Sequence, residues 1–408
     1  MPQDQLLQVL AGELADLRAS GTAKGDESVV VEVVPARDGR GPRFLLEGHG
    51  HTEFLRMNSN SYLGMGFEPS VIEAEERAAR AYGSGPGAVR FISGTYDVHV
   101  ALERRLAAFH GREAGMIFSS AYATVLSTIV PLVTDQTALI SDALNHNCII
   151  NAMRLARPAR KEVYRHNDVA DLERQLLACA GSCRRAVVVT DGIFSMRGDH
   201  APLAEIVAVV KKHDGLYPEN AVLVVDDSHG VGAFGGTGRG TEEHTECGPV
   251  DVLVGTLGKA FGVNGGYVVG SATLLAYLRE KSPMYIYSNP ITPAEAAAAL
   301  AALEVLDGDR GRALLANLRA MTARFEKGLV RLGFETIPGA HPVVPLMVRD
   351  TARTTALVRH LKDNGVLATG LNYPVVPKGD EEIRFQVNAD HTEADIDQAL
   401  AVLASFRG

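Results

Sequence analysis

Three short apolar runs in this 408-residue sequence each end in residues able to do acid–base or covalent chemistry. Residues 186–190 lead into Asp191-Gly192-Ile193-Phe194-Ser195, 221–225 into Asp226-Asp227-Ser228-His229-Gly230, and 252–255 into Thr256-Leu257-Gly258-Lys259. Unbroken apolar runs suit strands buried on both faces, and ligands of open α/β sheets collect beyond the carboxyl ends of such strands. An acid, an acid with a histidine, and a lysine at one sheet edge suit pyridoxal 5'-phosphate (PLP) chemistry. In that chemistry a lysine forms a Schiff base, and an aspartate keeps the pyridine nitrogen protonated so that the ring can take up carbanion charge. Lysine serves because its pKa falls readily in a desolvated pocket. Gly258, Gly262, Gly265 and Gly266 are expected to let backbone approach a flat cofactor. Taken singly, the lysine reads as a surface residue, the aspartate as a helix cap and the histidine as structural; their shared placement favours the functional reading.

The elements that must position these residues follow from periodicity. Helical spacing predicts an amphipathic helix over 1–20, and strands follow at 29–34, 44–46 and 54–57. Helices are predicted at 69–82, 97–110, 121–132, 147–156, 168–179 and 202–213, with strands at 115–118, 138–141, 186–190, 221–225, 252–255 and 266–269. The alternation implies a mostly parallel sheet. Helices at 293–306, 310–332 and 392–406 frame a last strand-and-helix set. The expected organisation is an N-terminal helix and strand arm (1–60), a large PLP-binding domain (61–292) and a small α+β C-terminal domain (293–408), which the arm can join.

Forty Lys and Arg against 49 Asp and Glu give a net charge of −9, which argues against a general nucleic-acid or membrane-surface binder. The cysteines (Cys148, Cys179, Cys183, Cys247) fit neither a disulfide framework nor a zinc site, so no metal is expected and a reducing cytoplasm is. The N-terminus lacks a basic start and is not read as a signal peptide. Residues 116–134 carry no charge, but their Ser, Thr and Pro suit a buried strand–loop–helix passage rather than a membrane span.

Eight blocks then resemble a family: LADLRASGTAK, NSNSYLGM, GAVRFISGTYDVH, SDALNHN, TDGIFSMRGD, VVDDSHGVG, TLGKAFG and LNYPVVPKGDEEIRFQVNADHT. In this order they resemble the α-oxoamine synthases, fold-type I PLP-dependent transferases, and lie nearest the 2-amino-3-ketobutyrate CoA ligase branch. The resemblance implies condensation of an amino acid with an acyl-CoA, release of CoA, and a 2-amino-3-oxo acid or its decarboxylated amino ketone as product. It implies Lys259 as Schiff-base lysine and α-proton base, Asp226 as partner of the ring nitrogen, and His229 with Ser195 on the ring hydroxyl. It implies that His146 stacks on the ring. The phosphate falls to Ser120 and to the amides of Ala121 and Tyr122, at a helix start, helped by Thr256 and by Ser288 from a neighbouring subunit. A homodimer with active sites at the subunit interface follows. Arg384 matches the arginine gripping the substrate carboxylate, with Asn60 assisting.

Three departures bear on the substrate. Ala88 stands where the family has Ser or Thr against the substrate α-carbon; the smaller, apolar side chain leaves room for a larger amino acid, and a substrate broader than, or different from, glycine is expected. Ser61 replaces Asn or Asp, and FSMRG places Arg197 where the family has Asp; a solvated loop arginine is the plainer reading there. Arg90 is left open between a structural ion pair and a contact at the acyl-CoA mouth. The loop after Lys259, GVNGGY, has the length seen in 8-amino-7-oxononanoate synthases. The alternatives are a fold-type I aminotransferase without an acyl-CoA step, which would release no thiol, and a regulatory subunit with a decayed site, which would bind no yellow cofactor.

Overall fold

The computed structural model describes residues 3–407 except Gly21, Lys24, Asp26 and Pro374. Gly21 and Lys24 of the LADLRASGTAK block and Pro374 of the LNYPVVPKG segment therefore lie outside the described residues. The chain begins with helix α1 (Asp4–Ala19), which buries none of its residues, and three short strands: β1 (Val30–Val34), β2 (Arg43–Leu46) and β3 (Leu55–Arg56). The expected apolar stripe is present on α1, but Leu6, Leu10 and Leu14 face outward from the protomer.

Next come α2 (Pro69–Tyr82), α3 (Asp97–Phe109), β4 (Ala114–Phe118), α4 (Ala121–Leu132), β5 (Thr137–Asp142), α5 (Asn147–Leu155), β6 (Arg160–Tyr164) and α6 (Val169–Cys179). They are followed by β7 (Arg185–Asp191), α7 (Leu203–His213), β8 (Ala221–Asp226), α8 (Thr241–Thr245), β9 (Val252–Thr256), β10 (Gly266–Gly270), α9 (Ala272–Lys281) and α10 (Pro283–Ile286). Seven strands form one sheet in the order β4-β10-β9-β8-β7-β5-β6, with only β10 antiparallel to its neighbours. The unbroken apolar run of β7 has a direct cause. Alternate side chains enter two cores, Ala186 and Val188 packing with α6 and α7, and Val187 and Val189 with α4, α5 and α9. The uncharged stretch 116–134 becomes β4 and α4, and among the described residues no helix is long and apolar enough to cross a membrane.

The remainder comprises α11 (Pro293–Leu306), α12 (Asp309–Arg331), β11 (Glu335–Thr336), β12 (Val343–Met347), α13 (Thr351–Asp363), β13 (Val366–Leu367), β14 (Thr369–Leu371), β15 (Glu382–Gln386) and α14 (Glu393–Ser405). Thr292 and Glu295 close a capping box at the start of α11, and this helix packs on α2 and α3. A four-stranded antiparallel sheet runs β11-β12-β15-β14. The arm is stitched to this part. β3 pairs in parallel with β13, Gly41 N–H donates to Asp395 Oδ2 at 2.9 Å, and Arg43 forms a buried ion pair with Asp395.

Strand β6 was not anticipated. It is an edge strand, RKEVY, whose residues are mostly exposed or half-buried, so the apolar signature of the central strands is missing.

Candidate active site

Every parallel strand of the large sheet ends at one edge, and β4 also points there. Asp191 closes β7 and pairs in register with Asp226, which closes β8; Lys259 follows β9 by three residues. The turn after β4 leads into α4, where Ser120 Oγ accepts the N–H of Ala123. The first-turn amides of Ala121 and Tyr122 have no intrahelical acceptor, and a helix start of this kind suits an anion. The turn after β5 carries His146, whose N–H donates to Asp191 Oδ2 at 2.9 Å. These pieces enclose a cleft lined by Ala121, Tyr122, His146, Ser195, Asp226 and Lys259, and Cys148, Asp191, Ser228 and His229 complete its wall.

Burial sets the electrostatics. It lowers the Lys259 amine to about 8, against the opposing pull of Asp226 and Asp191. Asp191 is pushed well above the ordinary carboxyl range, first by burial and then by facing Asp226. His146 is lowered by burial, with Asp226 acting in the other direction. His229 is lowered well below its usual value by burial and by Lys259, so it stays neutral. The adjacent Asp227 does different work. Its carboxylate accepts the N–H and hydroxyl of Thr241 at 2.7 and 2.6 Å, holding the loop after β8 together.

The Tyr62 hydroxyl lies 2.8 Å from His229 Nδ1, and His341 Nε2–H donates to the His229 carbonyl at 2.8 Å. The ring is thus held at Nδ1 and the backbone at its carbonyl, both by residues outside the loop of His229. Asn60 Oδ1 accepts from Tyr62 Oη at 3.3 Å, and a second hollow running from Lys259 is lined by Arg56, Asn60 and Val263. Arg384, on β15, donates to the Ser195 carbonyl at 3.0 Å. With its amide oriented to satisfy both ends, Gln386 accepts from Arg384 Nη2 and Nε at 2.8 and 2.9 Å and donates to the Met57 carbonyl.

Three anticipated residues, Thr256, Ala88 and Ser288, do not line the cleft of this protomer. Thr256 Oγ1 is engaged in its own turn, donating to the Gly265 carbonyl and accepting from Gly258 N–H. Ala88 lies in the loop between α2 and α3, and Ser288 follows α10; neither lines the Lys259 cleft of this protomer. Arg90 resolves as structural: it is buried and meets both oxygens of Glu103 at 3.1 and 3.3 Å. Arg197 pairs with Asp199 at 3.2 Å. Two of the glycines expected to admit a cofactor are instead required by protein packing. A Cβ on Gly262 (φ +69°) would lie 2.3 Å from Gly66 N, and one on Gly266 would lie 2.5 Å from Ala121 N. Asp191 stood out in the sequence as the acid ending an apolar strand, though without an assigned role. The parts played here by Cys148, Tyr62, His341 and Gln386 had no local signal.

The cleft's donor set fits PLP. It offers a buried amine, a buried acid, a helix N-terminus for a dianion, and the Ser228 hydroxyl, which is buried without a partner. Fold and cleft together define a fold-type I PLP transferase, and residues 52–403 match the family Aminotransferase class I and II. The chain belongs to the α-oxoamine synthases within it. It is 40% identical to the 8-amino-7-oxononanoate synthase of Thermosipho melanesiensis over 85% of this chain and 86% of that one. With the human mitochondrial 2-amino-3-ketobutyrate coenzyme A ligase it shares 37% identity over 97% and 91% of the two chains. Among solved structures, Sphingomonas wittichii serine palmitoyltransferase superposes with a TM-score of 0.88 at 29% identity, covering 99% of this chain and 97% of that one. The S. paucimobilis serine palmitoyltransferase solved with bound PLP superposes with a TM-score of 0.85 at 28% identity, over 99% and 97% of the two chains.

Proposed function

We propose that the cleft around Lys259 joins an amino acid larger than glycine to an acyl thioester, and that the residues named above divide the work. The chain is a PLP-dependent α-oxoamine synthase: it condenses an amino acid with an acyl-CoA or acyl-carrier-protein thioester and releases the thiol. The observation that carries the assignment of roles is the convergence of Lys259, Asp226 and Asp191 at adjacent strand ends beside the start of α4.

PLP, when bound, supplies the electron sink for a carbanion at the amino acid α-carbon. Ser120, the amides of Ala121 and Tyr122, and Ser288 of a neighbouring subunit would hold its phosphate, joined by Thr256 once its hydroxyl turns from the Gly265 carbonyl. Asp226 would keep a proton on the pyridine nitrogen, and His229 and Ser195 would hydrogen-bond the ring hydroxyl. His146 would cover the ring and exclude water. Lys259 Nζ, held near neutrality by burial, takes the α-proton. Arg384, steadied by Gln386 and Ser195, grips the substrate carboxylate with help from Asn60. Ala88, brought to the cleft by the neighbouring subunit as Ser288 is, would leave room beside the α-carbon for a side chain.

A homodimer with shared sites is supported by large apolar side chains left exposed beside the residues in question. Phe91 and Ile92 are 67% exposed near Ala88, and Tyr287, next to Ser288, is 80% exposed. The domain division at about residues 60 and 292 is supported by the separate sheets on either side. A reducing, cytoplasmic setting is supported by four free thiols.

Mass spectrometry of products from a matrix of amino acids and acyl thioesters tests this reading. The expected result is thiol release with a product from an amino acid other than glycine. A panel in which glycine alone reacts overturns the substrate reading. A Lys259→Ala protein that still turns over overturns the assignment of the base.

A further inference from the structure

Cys148 is 2% exposed and lies between two residues to which the reading above gives roles. Its Sγ is 2.9 Å from His146 Nδ1 and 3.7 Å from Asp226 Oδ2. The backbone N–H of Cys148 also donates to His146 Nδ1, at 3.3 Å, because His146 is the N-cap of α5. Nδ1 is therefore an acceptor, and the proton of the neutral imidazole sits on Nε2. The single thiol proton has two acceptors within reach, one on each side.

We infer that Cys148 is a positioning residue: its one thiol proton, shared between His146 Nδ1 and Asp226 Oδ2, steadies the imidazole plane and the carboxylate rotamer, while the Cys148 N–H sets the imidazole tautomer. The inference rests on the roles proposed for His146 and Asp226. A thiol suits this position because it remains a donor. Burial, followed by the facing Asp226 and Asp191, pushes the Cys148 thiol up and keeps its proton in place across the working pH range. Asp226, Asp191, His146 and, beyond His146, Lys259 are the titratable groups that face this contact. Asp226 otherwise accepts only the Ser228 N–H, at 3.1 Å on Oδ1, among the described contacts, so the thiol is the one side chain seen to hold Oδ2.

The test uses holoenzyme of the parent, Cys148→Ala, Cys148→Ser and Asp226→Asn. Each is followed by pH titration of its visible absorbance and by steady-state kinetics. Loss of one hydrogen bond predicts that Cys148→Ala moves the absorbance midpoint by about half a pH unit and lowers kcat about fivefold, with the amino acid KM little changed. Cys148→Ser, which keeps a donor, restores both. Parent-like titration and kcat in Cys148→Ala, beside a shifted Asp226→Asn, overturn the inference. An unshifted Asp226→Asn overturns instead the role given to Asp226, and the inference with it.

Discussion

The phenol oxygen of Tyr62 stands 2.8 Å from Nδ1 of His229, although 167 positions separate them. Tyr62 follows the arm and His229 follows β8, so the contact closes only when the two parts are docked. Tyr62→Phe keeps the ring and removes the hydroxyl. It is expected to cost about 1 kcal/mol in unfolding free energy and to lower kcat roughly tenfold. Denaturant titration and steady-state rates check the two effects; a parent-like kcat would release His229 from dependence on this contact.

Arg384 presents a planar fork to its proposed ligand, which an ammonium cannot reproduce. Arg384→Lys should lower kcat/KM for the amino acid by about 10–100-fold, chiefly through KM, while the KM for the acyl thioester changes little. Separate saturation curves for the two substrates distinguish this from a general loss of structure.

His166 is bracketed by Asp142 and Asp199 at 3.0 and 3.1 Å and packs edge-on to Phe194, beside Ser195. Burial would lower its pKa, but the two carboxylates outweigh burial and raise it to about 9. A folded value above the unfolded one stabilises fully below about pH 6.5 and is lost as pH rises through about 9. His166→Asn should therefore be destabilised by about 1–2 kcal/mol at pH 6 and by much less at pH 10. Equal destabilisation at both values, measured by chemical unfolding, would exclude the charged pairing.

Gly266 begins β10 directly beneath the first turn of α4, where a methyl group would meet Ala121 N at 2.5 Å. Gly266→Ala must displace that turn. The dissociation constant for PLP, measured on refilled apoenzyme, should rise at least about tenfold, since amide donors act over a few tenths of an ångström. A control such as Gly215→Ala, in open space, should leave it unchanged.

Much of this site was legible in the sequence because its parts sit at the ends of strands, and buried strands announce themselves. The runs before Asp191, Asp226 and Lys259 are apolar on both faces, and the reactive residue is simply where the run stops. Edge strand β6 escaped notice because its Arg160, Lys161 and Glu162 answer to solvent. Cys148 and Gln386 were invisible for another reason. Each acquires meaning from a residue far along the chain, Asp226 for Cys148 and Met57 for Gln386, and no local pattern encodes that meeting. The Asp226–Asp227 pair shows the limit well: neighbours of one type, one lining the cleft and the other holding the Thr241 loop.

The stitch between Gly41, Arg43 and Asp395 spans some 350 positions of chain. The carboxylate of Asp395 takes both a backbone N–H and a guanidinium of the arm, so one side chain on α14 acts as a latch for the segment that leads into Asn60 and Tyr62. An arm released from that latch loosens the partner of His229 without any change in the cleft itself.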